Sequence, residues 1–148
     1  MGLFDLNGQY FKPAYTFKAM GQMLDTPQRL AVEGTDNFGF AALAGRSEDG
    51  KTVQIFISNY AIAAGSKPRQ LGKPPELADP TANRDNAGYN LAIANLPWGK
   101  TPFTLNRYRI SASQNLDLVE EKSLAGRRLN LSNRMPTDTV ELIVLQRK

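Results

Sequence analysis

The chain has 148 residues, of which 18 are lysine or arginine and 14 are aspartate or glutamate, so its formal net charge is +4. A chain of this length forms about one domain and buries about two thirds of its extended surface, so it needs no covalent or metal staple to fold. It contains neither cysteine nor histidine, which excludes disulfides, thiolate nucleophiles, imidazole bases and Cys/His zinc sites.

Two classes of partner are not expected. The longest apolar stretches fall far short of the roughly 20 residues of a membrane span, and no secretion signal pattern opens the chain, so no membrane partner is predicted. The basic residues are spread along the chain, with only short clusters at Lys67–Arg69 and Arg127–Arg128. Nucleic-acid binders usually concentrate such charge on one face beside stacking aromatics, so no nucleic-acid partner is predicted either.

The first predicted element is an amphipathic helix over residues 13–24. Pro13 suits the first helical position, where its missing N–H is not needed. Apolar or small residues then recur at helical spacing and form one stripe: Ala14, Phe17, Met20, Gly21 and Leu24. The following Pro27 ends the pattern, because proline cannot continue a helix.

After the helix the hydrophobic period changes from 3.6 to 2. In the segment 52–60, Val53, Ile55 and Ile57 share one face, with Phe56 as an apolar exception on the other. Strands are predicted over 29–34, 38–46, 52–60, 87–98, 103–111, 127–132 and 138–147. With no second helix, this pattern predicts a mainly β fold, an antiparallel β-sandwich of about seven to nine strands with one N-terminal helix.

Residues 61–86 form a long predicted loop. The segment contains four prolines and two glycines and has no apolar alternation. Connections within a domain usually have about 4–6 residues, so this one is predicted to be either a functional excursion or a poorly ordered segment.

The order of these signals resembles the C-terminal end of glycoside hydrolase family 39, the β-xylosidase and α-L-iduronidase group. The resemblance is carried by "KPAYTF" at 12–17, by "DGK" and the alternating strand that follows it over 49–59, and by "YNLAIANLPWGKTPFTLNRYRIS" farther on. It covers nearly the whole chain except the loop at 61–86.

The resemblance implies a domain division and a partner. Residues 1–28 would be the final helix segment of a (β/α)8 barrel with its linker, and residues 29–148 would be a β-sandwich packed on that barrel. The barrel itself would be a missing catalytic domain of the same polypeptide, and Phe17, Met20 and Leu24 would contact it. For a bacterial parent glycosidase, a secreted or periplasmic location is favoured.

The catalytic groups of such a parent are not expected in this chain. Family 39 enzymes are retaining glycosidases whose two glutamates lie at the ends of barrel strands, about 5 Å apart. The glutamates present match neither motif: Glu33, Glu48, Glu76, Glu120, Glu121 and Glu141. No spaced set of oxygen ligands and no phosphate-binding glycine loop is found, so no catalytic residue, metal site or cofactor is predicted.

A second hypothesis makes the chain an independent carbohydrate-binding module. Aromatic rings cover the apolar face of a sugar while amides and charged groups reach its hydroxyls. If three rings met at one end of the sandwich they could form such a platform with nearby polar side chains: Trp98, Tyr60, Tyr89, Asn90, Asn95 and Arg107. The alternative is that Trp98, the single tryptophan, fills the core or contacts the barrel. The helix separates the two hypotheses. If the stripe of Phe17, Met20 and Leu24 packs on the sandwich, the chain is self-contained, whereas an apolar and exposed face on the other side of the helix indicates an absent partner.

Overall fold

The computed structural model describes residues 3–35, 39–60 and 87–148, so the prediction for the loop at 61–86 lies outside the described residues. Helix α1 (Lys12–Gln22) is followed by a 3-10 turn at Met23–Asp25. The strands are β1 (Gln28–Leu30), β2 (Phe40–Arg46), β3 (Thr52–Asn59), β4 (Ala87–Ile93), β5 (Pro102–Ile110), β6 (Asn115–Ala125), β7 (Leu129–Met135) and β8 (Thr139–Arg147).

The strands of the described ranges form two sheets. Six of them form one sheet in the order β1-β2-β3-β8-β5-β6, and β4 and β7 form the other. All six strand pairings are antiparallel. The predicted mainly β, antiparallel fold with one N-terminal helix is therefore confirmed.

The larger core lies between the two sheets. Val53, Ile55 and Ile57 of β3 alternate onto this side, as the period-two pattern predicted, and Ile143 and Leu145 of β8 lie on the same side. Each of these side chains is almost completely buried, and burying one such aliphatic side chain contributes about 1.5–3 kcal/mol. This core holds the two-stranded sheet against the six-stranded one.

A smaller core lies on the opposite face of the six-stranded sheet. Phe56 and Leu142 point to this side and pack with Ala19 and Met23 of the helical segment. The apolar exception in the β3 pattern is thus explained, because this strand is covered on both faces. Thr26 fixes the segment after the helix, since its buried hydroxyl lies 3.0 Å from the Gln54 Oε1 atom.

The prediction missed β6, which forms one edge of the six-stranded sheet. No strand was predicted between residues 111 and 127, although Asn115–Ala125 pairs with β5 along its whole length. The register shifts twice along this pair, at Arg107/Tyr108 and at Arg109/Ile110. Each shift is a β-bulge that moves later side chains to the other face, so the strand has no sustained alternation in its sequence.

Candidate functional site

Trp98 lies in the core and not on the surface. Its side chain is 5% exposed, its ring centroid is 5.2 Å from that of Phe103, and its Nε1–H donates to the Gly50 carbonyl at 2.7 Å. Gly50 lies in the turn between β2 and β3 and adopts a φ of 69°, which favours glycine. Trp98 is therefore a core residue that packs beside this turn.

Tyr89 lies at the other end of the two-stranded sheet. It is also buried, its ring centroid is 6.2 Å from that of Phe40, and its hydroxyl donates to the Glu141 Oε2 atom at 2.6 Å. It belongs to the first half of β4, whereas Trp98 follows the end of that strand. Tyr60 is exposed just after β3. The three rings do not share one surface.

The predicted polar partners are also separated. Asn90 is exposed on β4 and accepts a hydrogen bond of 2.7 Å from the Ser132 hydroxyl. Asn95 is exposed in the connection after β4, with a φ of 60°. Arg107 is buried between the sheets. Of the six residues proposed to bind sugar, only Tyr89 and Arg107 belong to a common cluster, which is a buried polar network.

Glu141 is the centre of this network, and its side chain is 0% exposed. Its Oε1 atom accepts hydrogen bonds from Arg107 Nη1 at 2.8 Å and from Arg109 Nη2 at 2.6 Å. Its Oε2 atom accepts the Tyr89 hydroxyl bond. Both carboxylate oxygens are therefore occupied by partners from β4 and β5, so the network joins the two sheets.

Glu120 extends the network to the sheet edge. Its carboxylate binds the Lys122 ammonium and accepts a bond of 2.8 Å from the Arg107 Nε atom. The hydrogen bond from Lys122 and the interactions with Arg107 hold the pKa of Glu120 below its ordinary value, although burial acts in the opposite direction. Burial lowers the pKa of Arg107, but the charges of Glu141 and Glu120 more than offset it, so the net shift is upward.

Tyr89 is held neutral by its surroundings. Burial is the main reason that its pKa lies far above the ordinary value, and the hydrogen bond to Glu141 raises it further. A buried phenol that faces a carboxylate can donate a proton to a hydrogen bond, but it does not ionise at neutral pH.

The network can stabilise the sandwich but offers no reactive group to a substrate. Glu120 and Glu141 are brought together around Arg107, which is superficially the paired-carboxylate arrangement of a glycosidase. Glu141, however, has no exposed surface and no free oxygen. Within the described ranges, no group of three or more acidic residues is placed to hold a metal ion. No helix in that part of the chain is long and apolar enough to cross a bilayer.

The outer face of α1 is apolar and exposed. Phe17 is 64% exposed, Met20 is 43% exposed and Leu24, in the following turn, is 79% exposed. The face that packs on the sheet is a different one, formed by Ala19 and Met23. The helix therefore has two apolar faces. Of the stripe predicted from the sequence, Ala14 is buried, whereas Phe17, Met20 and Leu24 find no partner within the described residues.

A small hairpin precedes the helix. A β-bridge joins Phe4 to Tyr10, and the Phe11 N–H donates to the Leu3 carbonyl at 2.9 Å. The Asp5 Oδ1 atom accepts the backbone N–H groups of Asn7 and Gln9, both at 2.8 Å. These bonds make the hairpin, residues 3–11, a structured element although most of its side chains are exposed.

The exposed apolar surface is concentrated at the beginning of the described chain. Within the described residues, ten of the twelve exposed large hydrophobic side chains belong to residues 3–32, and the others are Tyr60 and Leu118. Single exposed apolar residues are normal on soluble proteins. A cluster of them marks a surface that another molecule or domain covers.

Comparison with known proteins places the chain among glycoside hydrolase structures. No protein-family model matches the sequence, and no curated protein does. Among solved structures, a glucosidase from Croceicoccus marinus is 34% identical with a TM-score of 0.82, and the match covers 99% of this chain and 33% of that one. A GH39 enzyme from Xanthomonas axonopodis pv. citri is 11% identical with a TM-score of 0.67, over 99% of this chain and 32% of that one.

A monomeric β-xylosidase from Caulobacter crescentus CB15 is 16% identical with a TM-score of 0.59, and the match covers 99% of this chain and 32% of that one. The predicted resemblance to glycoside hydrolases is therefore confirmed. The chain spans about a third of the length of each of these enzymes, so it corresponds to one part of them.

Proposed function

We propose that the chain is a non-catalytic β-sandwich accessory domain of a retaining glycosidase, and that it packs on a (β/α)8 catalytic barrel of the same polypeptide. The outer face of α1 carries this proposal. Phe17, Met20 and Leu24 are exposed on the side of the helical segment that faces away from the sandwich. In this assignment they contact the neighbouring helices of the barrel.

The apolar side chains on the outer face of α1 are large enough to stabilise the docking of a second domain. Burying one large apolar side chain contributes about 1.5–3 kcal/mol relative to leaving it in water. Three such side chains on one helical face therefore provide several kcal/mol for docking a covalently linked domain, which has little association entropy to lose. The second apolar face keeps the helix attached to the sheet, so the helix joins the two domains rigidly.

The glycoside hydrolase neighbours support the proposal independently of the helix. Each matches this chain along nearly all of its length, and about two thirds of each lies outside the match. The proposed barrel is assigned to that remainder, together with the two catalytic glutamates. The alternative, an independent carbohydrate-binding module built on Trp98, Tyr60 and Tyr89, is not favoured, because two of these rings are buried.

A chimera tests the proposal. The third of the Croceicoccus marinus glucosidase that this chain matches is replaced by this chain, and thermal unfolding and activity are measured. Phe17→Asp places a charge in the proposed interface, and leaving a charge buried without a partner costs about 3–5 kcal/mol. The control is Lys18→Asp, since Lys18 is exposed on the same helix outside this stripe.

We expect Phe17→Asp to lower the melting temperature of the chimera far more than Lys18→Asp does. In the chain alone the two substitutions should have similar, small effects, because both side chains are in water. Equal effects of the two substitutions in the chimera would contradict the proposal. So would a chimera that fails to fold under conditions in which the parent glucosidase folds.

A further inference from the structure

The hairpin at residues 3–11 has features that docking on a barrel does not explain. Phe4 and Tyr10 are exposed, and their ring centroids are 5.1 Å apart at an angle of 46°. Tyr10 also meets Tyr15 edge-on, with centroids 5.6 Å apart. Tyr15 in turn packs against the core between the helix and the sheet. The aromatic pair is therefore fixed relative to the sandwich although it lies in water.

The turn of this hairpin is stabilised by hydrogen bonds and backbone geometry within the hairpin itself. Asp5 receives two backbone N–H groups of the turn, and Gly8 adopts a φ of 77°, a left-handed conformation that glycine reaches without strain. Leu6, Asn7 and Gln9 project from the turn and are exposed. The hairpin thus carries two exposed rings and two exposed amide side chains.

The position of the hairpin in the chain indicates which side of a barrel it would lie on. The Ala14 N–H donates to the Phe11 carbonyl, so the hairpin runs directly into the start of α1. In a (β/α)8 barrel, the segment before a helix is the loop that follows a barrel strand. These loops surround the substrate at the C-terminal face of the barrel. If α1 is the last barrel helix, the hairpin belongs to that face.

We propose that the hairpin lines one wall of the substrate cleft and that Phe4 and Tyr10 pack on a pyranose ring of the glycoside substrate. This inference rests on the proposed function, because it needs a barrel before the helix. Exposed rings cover the apolar face of a sugar, and nearby amides satisfy its hydroxyls, which is the chemistry that carbohydrate sites use. Asn7 and Gln9 provide these amides. The hairpin contributes to substrate binding and specificity and holds no catalytic group.

The test uses the same chimera with a glucose disaccharide that the unmodified glucosidase cleaves. Tyr10→Ala and Phe4→Ala should each raise KM, by about three- to tenfold for the loss of one aromatic contact, and should leave kcat unchanged, while the lost ring pairs lower the melting temperature by at most a few degrees. Tyr10→Phe keeps the ring and should restore a KM close to that of the unsubstituted chimera. Leu118→Ala is the control, because Leu118 is an exposed apolar residue on β6, outside the hairpin.

The outcomes separate this inference from the proposed function. If the chimera is folded and active and Phe17→Asp destabilises it, but Tyr10→Ala and Phe4→Ala do not change KM, the inference is wrong and the accessory-domain proposal stands. A fall in the melting temperature with an unchanged KM would likewise overturn it, since the hairpin would then pack on the barrel. A chimera without domain docking would overturn both proposals.

Discussion

Replacing Trp98 by alanine tests whether this side chain supports the core. A buried aromatic side chain removes about 150–250 Å² from water, which at about 25 cal/mol per Å² corresponds to roughly 4–6 kcal/mol as an upper estimate. Removing a large core side chain typically costs about 3–5 kcal/mol. For a domain of this size, each kcal/mol lowers the melting temperature by about 2–4 °C, so Trp98→Ala should lower it by about 6–20 °C.

Two further variants separate the contribution of the hydrogen bond from that of apolar burial and provide an exposed aromatic control. Trp98→Phe keeps most of the apolar surface but loses the donor to the Gly50 carbonyl, for which we expect a smaller loss that includes about 1 kcal/mol for the hydrogen bond. Tyr60→Ala removes an exposed aromatic side chain and should change stability by less than about 0.5 kcal/mol. Calorimetry and affinity electrophoresis in polysaccharide gels are performed on all three variants. An unchanged melting temperature for Trp98→Ala, together with lost retention in the gel, would refute the core assignment and favour a sugar platform.

Three further predictions concern the polar network and catalysis. Glu141→Gln removes the fully buried counter-charge that Arg107 and Arg109 share, leaving Arg107 with Glu120 alone, and should destabilise the chain by about 3–5 kcal/mol in urea unfolding; a loss below about 1 kcal/mol would show that solvent reaches the arginines. Because burial and Glu141 raise the pKa of Tyr89, the unfolded tyrosine ionises near pH 10 while the folded one stays protonated. Stability should therefore decline as the pH rises above about 10, and this decline should be weaker in Tyr89→Phe. The chain alone should not hydrolyse aryl glycosides; turnover that survives repurification and is lost on mutation of one carboxylate would disprove this.

The sequence predicts a strand correctly where apolar residues alternate with polar ones without interruption or where the whole segment is apolar. The segment 52–60 was placed to within one residue of β3, because Val53, Ile55 and Ile57 alternate without interruption. The edge strand β6 was missed since its two bulges break the alternation. The alternation of apolar and polar residues is interrupted at a bulge, because the extra residue moves the side chains that follow it to the opposite face of the sheet.

The helix was predicted in place, but its contact with the sheet was not. A small side chain such as Ala19 carries little hydrophobic signal, although it allows the helix to lie close to the strands. The stronger signal came from Phe17, Met20 and Leu24, which point away from the sheet. A helix placed between two partners needs two apolar faces, and sequence periodicity detects the face with the larger side chains first.

The polar network left only a faint signal in the sequence. Residues of β8 are apolar on both faces, and Glu141 is the single charged residue between Val140 and Leu145. A charge in such a strand predicts a buried partner, but the partner cannot be identified from spacing. Arg107, Arg109 and Tyr89 come from other strands, and only the sheet pairing brings them together.

Oxidation of methionine tests directly whether the outer face of α1 is covered by another domain. Hydrogen peroxide converts exposed methionine to the sulfoxide, at a rate that follows exposure. In the chain alone, Met20 is exposed while Met23 and Met135 are buried, so Met20 should be oxidised much faster than the other two when peptides are analysed by mass spectrometry. In the chimera with the Croceicoccus marinus glucosidase, Met20 should become protected to the level of Met23. Oxidation of Met20 at the same rate in the chain alone and in the chimera would contradict this expectation.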